Sequence, residues 1–277
     1  MSMKNLLVEL FVEELPPKAL KKLGDAFAAA VADSLKAQGL AAADAVVTPF
    51  ASPRRLAVQI ADVAAQAADK PVSHKLMPVN VGLDANGKAT PALLKRLAAL
   101  GLDESIVASL KRAIDGKSEA LFFDSVAKGA TLLEGLQKAL DEALTKLPIP
   151  KVMAYQLHEN CEQPGWNTVN FVRPVHGLVA LHGAEIVPVR VLGLDAGRAT
   201  QGHRFEAAVS PVRLKDADSY AAQMENEGAV IASFEARRAD IVRQLHEAAA
   251  KVGGGVKPVE DDALLDEVTG LVERPNV

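Results

Sequence analysis

FVRPVHGLVALHGAEIVPVRVLGLDAGRATQGHRF, residues Phe171–Phe205, carries the strongest β signal in the chain and three of its six histidines. Val172, Val175, Leu178, Val179 and Leu181 form one apolar run; Ile186, Val187, Val189, Val191 and Leu192 form a second. The runs meet at His182-Gly183-Ala184. Apolar, β-branched residues on both sides of a short Gly-containing link predict a hairpin. Each end of it is basic, with Arg173-Pro174-Val175-His176 before and Gly202-His203-Arg204-Phe205 after. Residues 171–215 hold six Lys/Arg against three Asp/Glu, whereas the whole chain has a net charge of −4. A positive stripe on an acidic chain suits one local anionic contact better than broad polyanion binding. The plainer alternative is that these cations decorate solvent-facing sheet positions.

Upstream, Asn5–Val12 reads as a strand stopped by Pro16-Pro17. Pro17 suits the first turn of a helix, where its missing N–H is unpaired in any case. That helix, Lys18–Gln38, spaces Leu20, Leu23, Phe27, Val31 and Leu35 along one face and ends at Gly39. Val46–Phe50 and Leu56–Val63 read as two further strands about the corner Ser52-Pro53-Arg54-Arg55. Two adjacent guanidiniums there fit a phosphate or carboxylate clamp. They fit equally a solvated turn paired with Glu13 or Glu14.

Between these parts the composition changes. Ala64–Pro78 reads as a linker and Asp84-Ala85-Asn86-Gly87 as a turn. Thr90-Pro91 starts a helix, Ala120–Val126 is strand-like past the turn at Asp115-Gly116-Lys117, and Thr131–Leu147 is amphipathic. After the hairpin come helices at 216–225, 233–252 and 263–271. Arg237, Arg238 and Arg243 are expected on the outer faces of the long one. The expectation is an α+β protein in three parts. Residues 1–70 form a small β-α-β-β sandwich and 71–150 a mostly helical inserted subdomain. Residues 151–277 form a second α+β unit built on the long hairpin with C-terminal helices. The ending Glu273-Arg274-Pro275-Asn276-Val277 has no closing element and reads as the cut edge of a longer protein.

The length allows a sizeable core, and with 4% aromatic residues that core must be mostly Ala, Leu and Val. Cys161 is the only cysteine, so no internal disulfide can form, which suits a reducing cytosol. No apolar run approaches the roughly 20 residues that span a bilayer. No phosphate-binding glycine loop occurs, since Gly253-Gly254-Gly255 follows a helix instead of preceding one. Neither HxxxH nor HExxH is present. Cys161 with His158 lacks a third group to activate it. No catalytic residue and no metal ligand set is assigned.

Five blocks in order resemble the beta subunit of the bacterial, heterotetrameric glycyl-tRNA synthetase. They are Glu13-Glu14-Leu15-Pro16-Pro17-Lys18-Ala19-Leu20, Ser52-Pro53-Arg54-Arg55-Leu56-Ala57, Leu147-Pro148-Ile149-Pro150-Lys151, Phe171-Val172-Arg173-Pro174-Val175-His176 and Gly202-His203-Arg204-Phe205. The resemblance covers the chain, although Gln201 stands where the pattern leads one to expect arginine. It implies a cytoplasmic protein that works with an alpha subunit and tRNA(Gly), with no membrane or DNA partner. It further implies that the class II site using ATP and magnesium lies on the alpha subunit, so that this part needs no cofactor. Arg54, Arg55, Arg173, His176, His203 and Arg204 are then the expected contacts to tRNA phosphates or to the partner. The alternatives are an editing-type hydrolytic pocket with His176 or His203 as base, and a purely structural scaffold.

Overall fold

The computed structural model describes residues 3–84, 86–115, 118–159 and 161–277; the turn expected at Gly116-Lys117 and residue Ala85 fall outside them. The chain opens with strand β1 (Met3–Val12), helix α1 (Pro17–Gln38), β2 (Val47–Ser52) and β3 (Arg55–Ala64). It continues with β4 (Lys70–Pro78), the single turn α2 (Val79–Gly82), α3 (Pro91–Ala99), a 3-10 turn (Glu104–Ser109), β5 (Lys111–Asp115) and β6 (Ser118–Ala127). Helix α4 (Leu132–Lys146) leads to β7 (Met153–Gln156), β8 (Thr168–Phe171) and β9 (Val175–His182). Five two-residue strands follow: β10 (Glu185–Ile186), β11 (Arg190–Val191), β12 (Leu194–Asp195), β13 (Ala199–Thr200) and β14 (Val212–Arg213). Last come α5 (Tyr220–Asn226), α6 (Phe234–Val252) and α7 (Asp262–Thr269). The class is α+β, as the sequence predicts.

Contacts divide the chain into two units, Met1–Ala67 with Ala130–Val277, and Ala68–Gly129. The first is built on a five-stranded sheet ordered β10-β9-β1-β3-β2, antiparallel throughout. β1 lies at its centre, and the alternation of side chains along a strand assigns its residues to two layers. Leu6, Val8, Leu10 and Val12 pack with Leu20, Leu23, Phe27 and Val31 of α1 and with Leu136 and Leu140 of α4. Leu7, on the other face, packs with Phe50, Val179, Leu181, Val212, Tyr220 and Met224. Burying both faces explains why Asn5–Val12 reads as an almost unbroken apolar run. Pro17 opens α1, and Gly39 closes it in the left-handed conformation with φ 76°. A full capping box between Thr131 and Glu134 starts α4.

The second unit is a three-stranded antiparallel sheet ordered β4-β6-β5 with its own small core of Leu76, Leu93, Leu97 and Leu121. Thr90 caps α3, accepting from the Leu93 amide at 3.4 Å.

The division differs from the one expected at 1–70, 71–150 and 151–277. Residues 70–78 form an edge strand instead of a linker; only Leu76 among them is buried, so no alternation marks it. Prolines at 71 and 78 are tolerated because an edge strand pairs on one side only. Helix α4 belongs to the first unit, since its apolar face covers α1. The long hairpin does not form either. β9 pairs with β10 only through His182↔Glu185 and Leu181↔Ile186, while its other edge takes β1 over Leu6–Val12. Val187 still donates to the Ala180 carbonyl at 3.0 Å, but the next amide in line, that of Val189, turns back to the Val187 carbonyl at 2.8 Å, and the ladder with β9 ends there. Val187, Val189 and Val191 still bury their side chains, but Gly197 takes over the bonding to β9, donating to the Leu178 carbonyl at 2.9 Å.

Candidate functional site

β1 runs antiparallel to both of its neighbours, so its C-terminal end meets the start of β3 and the start of β9. Phe11 is opposite Arg55 on one side and Gly177 on the other. One end of the sheet thus gathers Glu13, the β2–β3 corner with Arg54 and Arg55, and His176. The segment after β13 crosses the same end. Gly202 is required there, because a Cβ would meet the Gly228 carbonyl oxygen at 2.6 Å and its Cα at 2.7 Å. That close approach lets the His203 amide donate to the Gly228 carbonyl at 2.7 Å. A cleft of about 300 Å³ results, lined by Phe11, Glu13, Arg54, His176, His203 and Arg204 among others.

The charges beneath and around this cleft fall into two layers. In the buried layer, Arg54 donates from Nε and Nη2 to the two carboxylate oxygens of Glu273 at 3.1 and 2.9 Å. Its Nη2 also reaches the Gly202 carbonyl at 2.9 Å. Arg55, with no exposed surface, donates to Glu273 Oε1 at 3.0 Å, to Ser52 Oγ at 3.1 Å and to the Gln201 carbonyl. Glu9 is equally buried; it accepts from Tyr220 Oη and Thr200 Oγ1 and lies 3.5 Å from Arg55 Nε. Arg237 is also fully buried, contrary to its expected place on an outer face of α6. It donates to the carbonyls of Ile231, Ala232, Ala51 and Thr269. Phe11 carries both Arg54 and Arg55 over its ring, with guanidinium carbons 5.3 and 5.5 Å from the centroid.

These environments shift the titrating groups. Burial works against the Glu273 carboxylate, but hydrogen bonding from Arg54 and the charges of Arg55, Arg54 and His203 outweigh it and hold its pKa below the usual value. Burial and the charge of Arg55 pull Arg237 down to about 10, with Glu273 opposing. Burial, then the charge of Glu9, push the Tyr220 phenol well above its usual value, with Arg55 pulling the other way.

In the outer layer, Glu13 is shared between His176 Nε2 at 3.1 Å and Arg204 Nη2 at 3.7 Å, all three half-exposed. His203 Nδ1 accepts from the amides of Phe205 and Glu206 at 3.3 and 3.2 Å. In the neutral ring the proton is therefore on Nε2. Arg173 stands apart from the cleft lining, donating to the Val172 carbonyl at 2.8 Å and to Met153 Sδ at 3.4 Å.

Of the six expected contact residues, the structure brings four to one cleft and leaves two elsewhere. Arg54 lines it but spends its fork on Glu273, and Arg55 lies wholly beneath it without a solvent-facing donor. Sequence reasoning missed Glu273, Glu9, Tyr220 and Arg237. The one available signal was Glu9 itself, a charge inside an otherwise apolar strand, which requires a buried partner. Among the described residues no three His, Cys, Asp or Glu side chains are placed to hold a metal, and no helix is long and apolar enough to cross a membrane.

Comparison with known proteins agrees with the blocks that meet at this end of the sheet. The family described as glycyl-tRNA synthetase beta subunit matches residues 6–277. The chain is 73% identical over 277 residues to the glycine–tRNA ligase beta subunit of Leptothrix cholodnii, covering all of this chain and 38% of that protein. It is 70% identical over 281 residues to the one from Polaromonas naphthalenivorans, covering all of this chain and 40% of the relative. With the Dechloromonas aromatica subunit it shares 67% over 285 residues, 100% of this chain and 39% of the other. The chain thus spans about two fifths of the length of the relatives it matches. A match over residues 6–277, at these identities, makes the chain a member of the glycyl-tRNA synthetase beta subunit family.

Proposed function

We propose that this chain is the N-terminal, non-catalytic part of a cytoplasmic glycine–tRNA ligase beta subunit, and that it supports the charging of tRNA with glycine by contacting the tRNA. Activation of glycine with ATP and magnesium then belongs to the class II alpha subunit of a heterotetramer. The observation that carries this reading is the gathering of His176, His203 and Arg204 at the rim of one cleft, on a locally basic part of an acidic chain. Such side chains hold phosphates without reading bases. The buried arginines act as the frame that fixes the rim.

The hydrolytic alternative is the weaker one. His203 offers its Nδ1 lone pair to two backbone amides, which leaves Nε2 as a donor and not as a base.

The test is tRNA binding by the full-length subunit with its alpha partner, comparing wild type with Arg204→Ala and His176→Ala across a salt series. Loss of a phosphate contact weakens binding and lowers the log–log salt slope by about 1 per contact. Unchanged affinity and slope in both variants overturn the RNA reading. Loss of alpha co-purification with tRNA affinity intact assigns the surface to subunit docking instead.

A further inference from the structure

Phe205 leaves 91% of its surface in solvent, in a chain whose aromatic residues amount to 4% and otherwise serve mostly the core. Full exposure of a phenyl ring has no stabilising role in the fold. The ring is not adrift, however. Its neighbour Arg204 and the nearby His203, whose ring centroid is 6.2 Å away with the planes at 66°, both line the cleft. The two amides that His203 Nδ1 accepts are those of Phe205 and Glu206, so the imidazole fixes the backbone that carries the ring. Glu206 is itself paired with Arg274 at 3.8 Å, which offsets the nearest negative charge.

We infer that Phe205 is a stacking platform for an unpaired base of bound RNA, with Arg204 and His176 meeting the adjoining phosphate. This rests on the proposed RNA contact and names the kind of RNA it takes. The chemistry favours a nucleotide over a protein surface: a single aromatic face beside cations matches a base with its phosphate, whereas a protein dock needs a contiguous apolar patch. Paired bases hide their faces in the helix, so only single-stranded or looped RNA can use the ring. Arg204 is available for the phosphate because its exposed pair with Glu13, at 3.7 Å, is weak and can be exchanged.

The experiment titrates the full-length subunit, with its alpha partner, against a labelled single-stranded RNA of mixed sequence and against a blunt RNA duplex of the same length. Phe205→Ala is expected to weaken single-strand binding on the order of 5- to 100-fold, and Phe205→Trp to retain it. Duplex affinity and the salt slope stay as in wild type. Equal single-strand affinity in wild type and Phe205→Ala overturns the inference, as does an equal loss on duplex. Loss of alpha co-purification with RNA affinity intact also overturns it, because the ring is then a protein contact. If Arg204→Ala flattens the salt slope while Phe205→Ala is silent, only the stacking falls; if both are silent, the RNA reading falls as well.

Discussion

Glu273 closes on Arg54 through both carboxylate oxygens, tying the described chain's last turn to a corner formed 219 residues earlier. The same carboxylate also holds Arg55, so removing it takes the charged partner from buried Arg54 and one of two from Arg55, which keeps Glu9. Glu273→Ala is expected to cost about 3–5 kcal/mol, the range found when one member of a buried pair is deleted. Urea unfolding of the two proteins measures it. A change within about 0.5 kcal/mol, the usual range for surface substitutions, contradicts the buried clamp.

The same residue predicts an acid dependence. The folded pKa of Glu273 lies below its ordinary value of 4.5. Its contribution is therefore fully present above about 4.5 and is lost as the pH falls through the lower, folded value. The loss of stability on acidification should be shallower in Glu273→Gln than in wild type, read from unfolding midpoints between neutral pH and pH 3. Identical pH profiles assign the acid loss to other carboxylates.

Tyr220 gives the opposite sign at the alkaline end. Its phenol is raised well above 10 by burial and by Glu9, and Tyr155, the only other tyrosine, is raised by burial. An acid weakened by folding stabilises below its unfolded pKa and ceases to do so as the pH rises above it. Stability should thus decline above about pH 10, and phenolate absorbance should lag behind free tyrosine until unfolding. Tyr220→Phe removes a donor to a buried carboxylate, for an expected loss of about 1.5–3 kcal/mol at neutral pH.

Gly202→Ala tests the approach that shapes the cleft. The new methyl must displace the Gly228 backbone, not a flexible side chain, so a cost of about 1–3 kcal/mol is expected. Thermal unfolding measures the cost, and amide exchange at His203 reports whether its bond to Gly228 opens. Unchanged exchange and midpoint contradict the tight contact.

The second unit can be removed on paper without touching the first. The Ala67 amide donates to the Ala130 carbonyl at 2.9 Å, and Gln66 bridges Thr131, so the points of departure and return are adjacent. Replacing 68–129 by a short glycine-containing turn should preserve a cooperative thermal transition and the helical circular dichroism of the remainder. Loss of cooperativity means that the first unit's core depends on the second.

What could be read in the sequence was whatever is decided locally. Leu20, Leu23, Phe27, Val31 and Leu35 define a helix face within five turns, and Thr90 and Thr131 announce helix starts through their own side chains. The corner at Ser52-Pro53-Arg54-Arg55 was legible as a corner. Its role was not, because exposure was assumed from charge, and the residue that buries both arginines is Glu273, not the nearby Glu13 or Glu14. β4 escaped notice because eight of its nine residues are not buried. The hairpin reading failed beyond Val187, where Gly197, more distant in the chain, takes the Leu178 carbonyl that Val189 would have met. The rim of the candidate site was half legible: His176, His203 and Arg204 are drawn together by β1, which their own segment never mentions, while Arg173 is not among the residues that line the cleft.

The pairing of β1 with β9 carries a further consequence for how the protein is made. A ribosome delivering 5–20 residues per second completes β9 roughly 10–30 s after β1 has emerged. During that interval one edge of the central strand has no partner, and Glu9 waits with it for Thr200 and Tyr220. Lodging a charge in the middle of that bare edge is a known way to keep nascent strands from sticking to one another. In the unfinished chain Glu9 therefore leaves a charge on that open edge, before it becomes part of the finished core.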